Sequence, residues 1–262
     1  MTHDATQSGF SEDTLLGGRV RLRQPVAGYR VAIDPVLLAA SIPAQAGETV
    51  LDIGCGSGAA ALCLATRVAG VRVTGIERER ALVRLANDNA MLNDLGGRVA
   101  AMAGDLLRPP PRIEPGTFAH VMANPPYLEP ARATAPADPG RAGAKLEGEA
   151  DLAAWVRFAL AMVRAKGTVT FIHRADRLEQ LLAQFAGKLG EIVIFPLWPR
   201  AARPARRVIV RGRKGAASPT RLMPGLVLHT ESGAYTEAAD AVLRDGEGLA
   251  LEAVGEPAPA GQ

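Results

Sequence analysis

Val50-Leu51-Asp52-Ile53-Gly54-Cys55-Gly56-Ser57-Gly58 reads as a short apolar strand that runs into a glycine-rich turn and then into a helix predicted over 57–69. Bare backbone at a helix N-terminus invites a ligand, because a Cβ at these positions would fill the space and glycine tolerates positive φ. The turn also satisfies the relaxed dinucleotide fingerprint as Gly54-x-Gly56-x-x-Ala59. A nicotinamide or flavin site therefore stays open at this point.

From this strand onward the chain alternates apolar runs with helical stretches. Strands are predicted at 49–53, 71–76, 99–103, 118–123, 167–173 and 190–195, and helices near 57–69, 79–94, 151–164 and 175–187. Such alternation specifies an α/β fold with a parallel sheet and helical crossovers. Past Pro196 a strand at 206–212, a turn at 215–219 and a strand at 225–229 predict an antiparallel pair at the C-terminal edge. Upstream, Arg19-Val20-Arg21-Leu22-Arg23 alternates charged and apolar side chains like a half-exposed strand. Asp34 before Pro35 predicts an N-cap and a short helix to about Ser41. The expected organisation is a flexible N-terminus at 1–17, a strand and helix extension at 18–45, the main domain at 46–254 and a disordered tail at 255–262. The Ala-, Pro- and Gly-rich stretch at 130–150 is expected to be mobile.

Composition narrows the class. The 262 residues are 48% hydrophobic and 22% charged, an ordinary globular balance. No uncharged stretch exceeds fourteen residues, against the ~18 apolar residues a membrane span needs, so no membrane partner is expected. The N-terminus carries neither a secretory nor a transit pattern, which makes the cytoplasm the expected compartment. Cys55 and Cys63 cannot assemble a disulfide framework, and the scattered histidines lack metal-ligand spacing, so no metal site is expected.

Carboxylates follow the strands. Asp52 lies near the end of the first. Glu77, twenty-three residues beyond Gly54, is close to the spacing of an acid that bonds a ribose diol, and Asp105 follows the third strand. Asp52 would repel a pyrophosphate but attract an ammonium or sulfonium. These residues resemble the first motif of the class I S-adenosylmethionine-dependent methyltransferases. The resemblance implies a Rossmann-like, doubly wound, mostly parallel sheet with S-adenosyl-L-methionine as cofactor. It further implies that Asp52, Gly54, Gly56 and Gly58 line the amino-acid half of that cofactor, that Glu77 holds the ribose and that Asp105 bonds the adenine amino group.

A second motif, Asn124-Pro125-Pro126-Tyr127, follows the fourth strand. Consecutive prolines fix φ twice and push Asn124 out of the helical region, so the Asn124 side-chain oxygen and the Pro125 carbonyl are held above the sheet. Two fixed acceptors suit a planar NH2 group, whose nitrogen lone pair is left to meet an electrophile. Tyr127 offers an aromatic face to a flat substrate. The tetrapeptide resembles the motif of amino-methyltransferases acting on adenine N6 in DNA or RNA, guanine N2 in rRNA, or glutamine N5 in release factors.

Charge distribution separates these alternatives. Net charge is +3, yet seven basic residues and no acidic one lie between Pro196 and Gly215. Arg203, Arg206, Arg207, Arg213 and Lys214 in that segment, with Arg19, Arg21 and Arg30 upstream, are candidate RNA contacts. The layout resembles the tRNA1(Val) adenine-N6 methyltransferase family across nearly the whole chain. Beside the two motifs, the carrying segments are Gly28 to Ala40, Phe171 to Leu178, Arg211 to Gly215 and Gly233 to Thr236. The resemblance implies methylation of a tRNA adenine on its exocyclic nitrogen. Glutamine methylation of a protein, guanine-N2 methylation of rRNA and an inactive RNA-binding homologue are the alternatives; a monomer and a homodimer both fit. The residues His173 and Arg174 end a strand on the ligand side, and Trp155 with Phe158 and Met162 reads as a core helix face.

Overall fold

The computed structural model describes residues 9–26, 31–126 and 151–251. After the hairpin strands β1 (Phe10–Leu15) and β2 (Val20–Pro25) come α1 (Asp34–Ala40), β3 (Thr49–Ile53), α2 (Ala59–Arg67), β4 (Arg72–Glu77), α3 (Arg80–Leu92), β5 (Val99–Ala103) and β6 (Phe118–Ala123). They are followed by α4 (Leu152–Met162), β7 (Val163–Arg174), α5 (Leu178–Phe185), β8 (Leu189–Arg200), β9 (Arg207–Lys214), β10 (Arg221–Leu222), β11 (Leu226–His229) and α6 (Glu237–Leu243). The main sheet has nine strands in the order β10-β8-β9-β7-β6-β3-β4-β5, with β11 also on β8. Strands β3 to β7 run parallel, and β9 is antiparallel to both β7 and β8.

Both faces of this sheet are buried, which is why its strands read as continuous apolar runs. Side chains alternate between faces. Val50, Met122, Ile172 and Ile209 join one cluster with Leu37 of α1, Leu62 of α2 and Ala90 of α3. Their neighbours Leu51, Val121, Phe171 and Val210 join a second cluster with Trp155 and Phe158 of α4 and Phe185 of α5. The doubly wound expectation holds, and so does the core placement of Trp155. Among the described residues no helix is long and apolar enough to cross a membrane.

Three expectations need correction. The N-terminal stretch read as a loose end contains β1, which pairs with β2 in register from Phe10–Pro25 to Leu15–Val20; residues 1–8 lie outside the described residues. Its polar composition hid the strand because that strand is half exposed and held by cross-strand charge pairs. At the C-terminal edge, the strands near 206–212 and 225–229 do not pair with each other. Strand β8 lies between them, antiparallel to β9 and parallel to β11. Finally, Asp34 is not an N-cap. It is the first residue of α1, and its carboxylate accepts a hydrogen bond from Arg207 at 3.0 Å.

Candidate active site

Strand register decides which residues meet. Ile53 on β3 pairs with Ile76 on β4 and with Ala123 on β6, and Glu77 pairs with Ala103 on β5. The glycine turn, Glu77, Asp105 and the Asn124-Pro125-Pro126 segment therefore emerge at the same, C-terminal end of neighbouring strands. That is where open α/β sheets bind ligands. Asn124 leaves β6 beside Gly54, one residue past the Ile53–Ala123 pairing. It is half-buried, Pro125 is buried and Pro126 is exposed. Tyr127 and Arg30 lie outside the described residues.

The turn is fastened from several sides. Gly54 N–H and Cys55 N–H both donate to the Ile76 carbonyl, at 2.8 and 3.1 Å. Glu77 accepts from Gly56 N–H through Oε2 and from Glu79 N–H through Oε1, each at 3.0 Å. Gly54, Gly56 and Gly58 all have positive φ, between 55° and 88°, which favours glycine at each. The space around them differs. A Cβ on Gly54 would stand 2.5 Å from the Trp155 ring, so this glycine admits the indole of α4 against the turn. At Gly56 a Cβ would meet nothing within 4 Å, which leaves open room for a ligand.

Asp52 is the unusual group. It is 2% exposed, and its Oδ2 is buried without a hydrogen-bond partner among the described residues. Burial, and next the charge of Glu77, push its pKa up to about 8, against a hydrogen bond from the Ala61 backbone. A buried carboxylate with an unused oxygen beside a second carboxylate lacks a cation. Asp105 is half-buried and its Oδ1 accepts from Leu107 N–H at 2.9 Å, a local turn bond that leaves the other oxygen available to a ligand. The two cysteines are core groups, each with its thiol pKa raised by burial.

The candidate RNA contacts divide. Arg21 is salt-bridged to Glu12, as is its neighbour Arg23, and Arg19 donates to the carbonyls of Leu16 and Arg244. Arg207 holds Asp34, and Arg213 reaches Glu191 and the Lys166 carbonyl. Lys214 Nζ donates to the Leu160 and Val163 carbonyls at the end of α4, where a cation complements the helix terminus. These five residues and Arg19 fasten the framework, whereas Arg203 and Arg206 stand exposed with no side-chain hydrogen bond or ion pair to a described residue. The buried His173 takes a structural role: its Nδ1 accepts from Arg174 N–H at 2.8 Å, and Arg174 is bonded to Asp176.

One residue escaped the sequence reading. Asn89 on α3 is fully buried; it bonds the Arg23 backbone in both directions and donates to the Ser57 carbonyl in the glycine turn at 3.0 Å. The available signal was Asn87-x-Asn89-x-x-x-Asn93, since asparagine disfavours a helix interior unless its amide has backbone to bind.

Comparison with known proteins agrees with this layout. Residues 30–137 match the family model of the methyltransferase small domain. A tRNA1(Val) (adenine(37)-N6)-methyltransferase of Serratia proteamaculans is 37% identical over 103 residues, a stretch that spans 39% of this chain and 39% of that protein. The similarly named protein of Actinobacillus succinogenes is 26% identical over 196 residues, 73% of this chain and 80% of that one. Among solved structures, a predicted O-methyltransferase, protein Atu636 of Agrobacterium tumefaciens, superposes with a TM-score of 0.68 at 24% identity, covering 82% of this chain and 97% of its own. The tRNA (m1A58) methyltransferase TrmI of Aquifex aeolicus gives 0.53 at 18% identity, over 74% and 73%. Residues 30–137 are thus similar to the methyltransferase small domain, and the sheet that holds them has the fold of the solved methyltransferase structures it superposes on.

Proposed function

We propose that this protein is an S-adenosylmethionine-dependent N-methyltransferase whose substrate is the exocyclic N6 of an adenine in tRNA. The observation that carries the reading is the register that sets Asn124 beside Gly54, one strand away from Asp52, whose buried Oδ2 has no hydrogen-bond partner among the described residues. The donor set fits the cofactor. Asp52 supplies negative charge where a cationic linking group requires it, Glu77 stands at the tip of the next strand to hold the ribose, and Gly56 leaves open space at the turn. When bound, S-adenosylmethionine supplies an electrophilic methyl group on sulfur.

The chain's own contribution is positional. The Asn124 side-chain oxygen and the Pro125 carbonyl accept the two N–H bonds of the target amine and aim its lone pair along the transfer line. Rigid proline φ values hold both acceptors before substrate arrives, so little reorganisation accompanies the reaction. No strong base is required, because the nitrogen becomes acidic as it gains the methyl group and its proton passes to these acceptors and then to water. The names of the Serratia and Actinobacillus relatives support adenine in tRNA as the substrate.

Mass spectrometry of nucleosides from tRNA incubated with the protein and S-adenosylmethionine tests this. N6-methyladenosine that depends on Asn124 supports the reading. Methylation of glutamine in a protein, or of guanine N2, with none on adenine would overturn it.

A further inference from the structure

The seven basic residues between Pro196 and Gly215 fall into two groups in the fold. Arg207, Arg211, Arg213 and Lys214 lie on β9, and their side chains engage Asp34, the Ser41 carbonyl, Glu191 and the end of α4. Arg200, Arg203 and Arg206 lie at the tip of β8 and in the turn that joins it to β9. All three are exposed, and no carboxylate among the described residues forms an ion pair with them. The turn holds them in place: Arg203 N–H donates to the Arg200 carbonyl at 3.3 Å and Arg206 N–H to the Leu197 carbonyl at 3.4 Å.

These three arginines line a cavity of about 730 Å³ together with Pro199, His229 and Gly233. Its far wall is rigid. His229 Nδ1 lies 3.1 Å from the Pro199 carbonyl, which can only accept, so that nitrogen carries its hydrogen and the ring is fixed. The ring stacks on Tyr235 with centroids 4.8 Å apart, and Gly233 N–H donates to the Thr230 carbonyl at 3.0 Å within the intervening turn. A Cβ on Gly233 would stand 3.8 Å from Arg200 Nη2, so the glycine leaves the space beside that guanidinium open.

The position of the cavity connects it to the transfer site. Strands β8 and β11 run in the same direction as β6, so Arg200 and His229 end on the same side of the sheet as Asn124. The order β6-β7-β9-β8 separates the two places by three strand steps of about 4.8 Å each, or roughly 14 Å. The cavity is thus concave and cationic, with no acidic side chain among its described lining residues, and within a few nucleotides' reach of the reacting group.

We propose that this cavity binds the phosphate backbone of the substrate RNA next to the target nucleotide. The inference rests on the reading of the substrate as RNA. Guanidinium forks match phosphate oxygens in pairs and are weakly hydrated, so three of them converging on one hollow favour a phosphodiester over a compact, strongly hydrated anion. The contacts carry no sequence information; they fix where the strand lies.

The test is fluorescence anisotropy of a labelled anticodon stem-loop RNA over a series of salt concentrations. It compares the wild-type protein, the Arg200→Ala/Arg203→Ala/Arg206→Ala variant, and an Arg72→Ala/Lys188→Ala control at the opposite ends of β4 and β8. Each phosphate contact to a single strand contributes about 0.7 to the slope of log affinity against log salt, so the triple variant should lose about 2 from that slope. The control should lose none. In methyl transfer the triple variant should show a raised KM for tRNA with kcat and S-adenosylmethionine affinity unchanged, the last of these also showing that it is folded. An unchanged slope and KM in the triple variant, with methylation intact, would overturn the cavity while leaving the proposed function. Arginine-dependent RNA binding with no methyl transfer to any RNA would overturn the proposed function and keep the cavity. Displacement of RNA by polyglutamate but not by unlabelled RNA would assign the cavity to an acidic peptide and overturn the proposal.

Discussion

Asn89 and the backbone of Arg23 exchange two hydrogen bonds, each 2.9 Å long, so that one side-chain amide does for the edge of β2 what a neighbouring strand would do. Asn93 repeats the pattern one helical turn later on Arg21, at 2.8 and 2.7 Å. On another face of α3, Asn87 does the same for Ala101 on the edge strand β5. The helix thereby covers two strand edges. Because Asn89 also donates to Ser57, it ties the N-terminal hairpin to the glycine turn. Replacing Asn89 with Ala leaves the partly buried backbone groups of Arg23 and the buried Ser57 carbonyl without this partner, and should cost about 1–3 kcal/mol. Denaturant unfolding of the variant measures this, and calorimetry should show weaker cofactor binding.

Asn124→Ala should lower kcat by about two to three orders of magnitude while leaving S-adenosylmethionine affinity within about twofold, because in the proposed mechanism its side-chain oxygen binds the target amine and not the cofactor. Single-turnover methyl transfer and calorimetry on the same preparation check both halves. A variant that turns over at the wild-type rate would remove Asn124 from the mechanism.

Asp52 should make cofactor binding pH-dependent. Its pKa in the fold, raised from 3.8 to about 8, lies above the unfolded value. Its contribution to stability is therefore complete below about 3.8 and lost as pH rises through 8. A bound cation reverses the penalty, so affinity for S-adenosylmethionine should climb with pH and level off above about 8. Asp52→Asn should raise the Tm of the ligand-free protein at pH 8, remove that climb, and weaken binding by about ten- to a hundredfold, equivalent to losing one charge-assisted hydrogen bond.

Gly54→Ala should destabilise through packing. The new Cβ stands 2.5 Å from a buried indole, and the residue must keep a φ of 68°. Overpacking and backbone strain together should cost about 2–4 kcal/mol. Gly56→Ala meets no neighbour, so its loss of stability should be smaller and its loss of cofactor affinity larger. Thermal unfolding alongside cofactor titration separates the two glycines.

His173 sets an acid limit. Burial first, and the charge of Arg177 second, lower its pKa from 6.5 to about 4, consistent with Nδ1 accepting the Arg174 N–H. The neutral ring contributes stability in full above pH 6.5, and this is lost as pH falls through 4. His173→Gln, which keeps an acceptor without a titrating proton, should flatten the decline of Tm between those values.

The sequence by itself determined the strand-turn-helix at Val50 to Gly58, the apolar strands buried on both faces, the acids that follow them and the Asn124 to Pro126 segment. Local chemistry is enough for these: glycine φ, proline φ and hydrophobic period act over a few residues and leave a direct mark on the chain. Arginine 200, 203 and 206 look the same in the sequence as Arg207 and Arg213, and only the tertiary structure separates them. A guanidinium's role is set by whether a carboxylate or carbonyl from a distant element lies within bonding distance. Asp34 is 173 residues from Arg207, and Glu191 is 22 from Arg213. The hairpin strand at Phe10–Leu15 was concealed for the same reason, since its pairing with β2 and Glu12's salt bridges to Arg21 and Arg23 depend on partners rather than on its own composition.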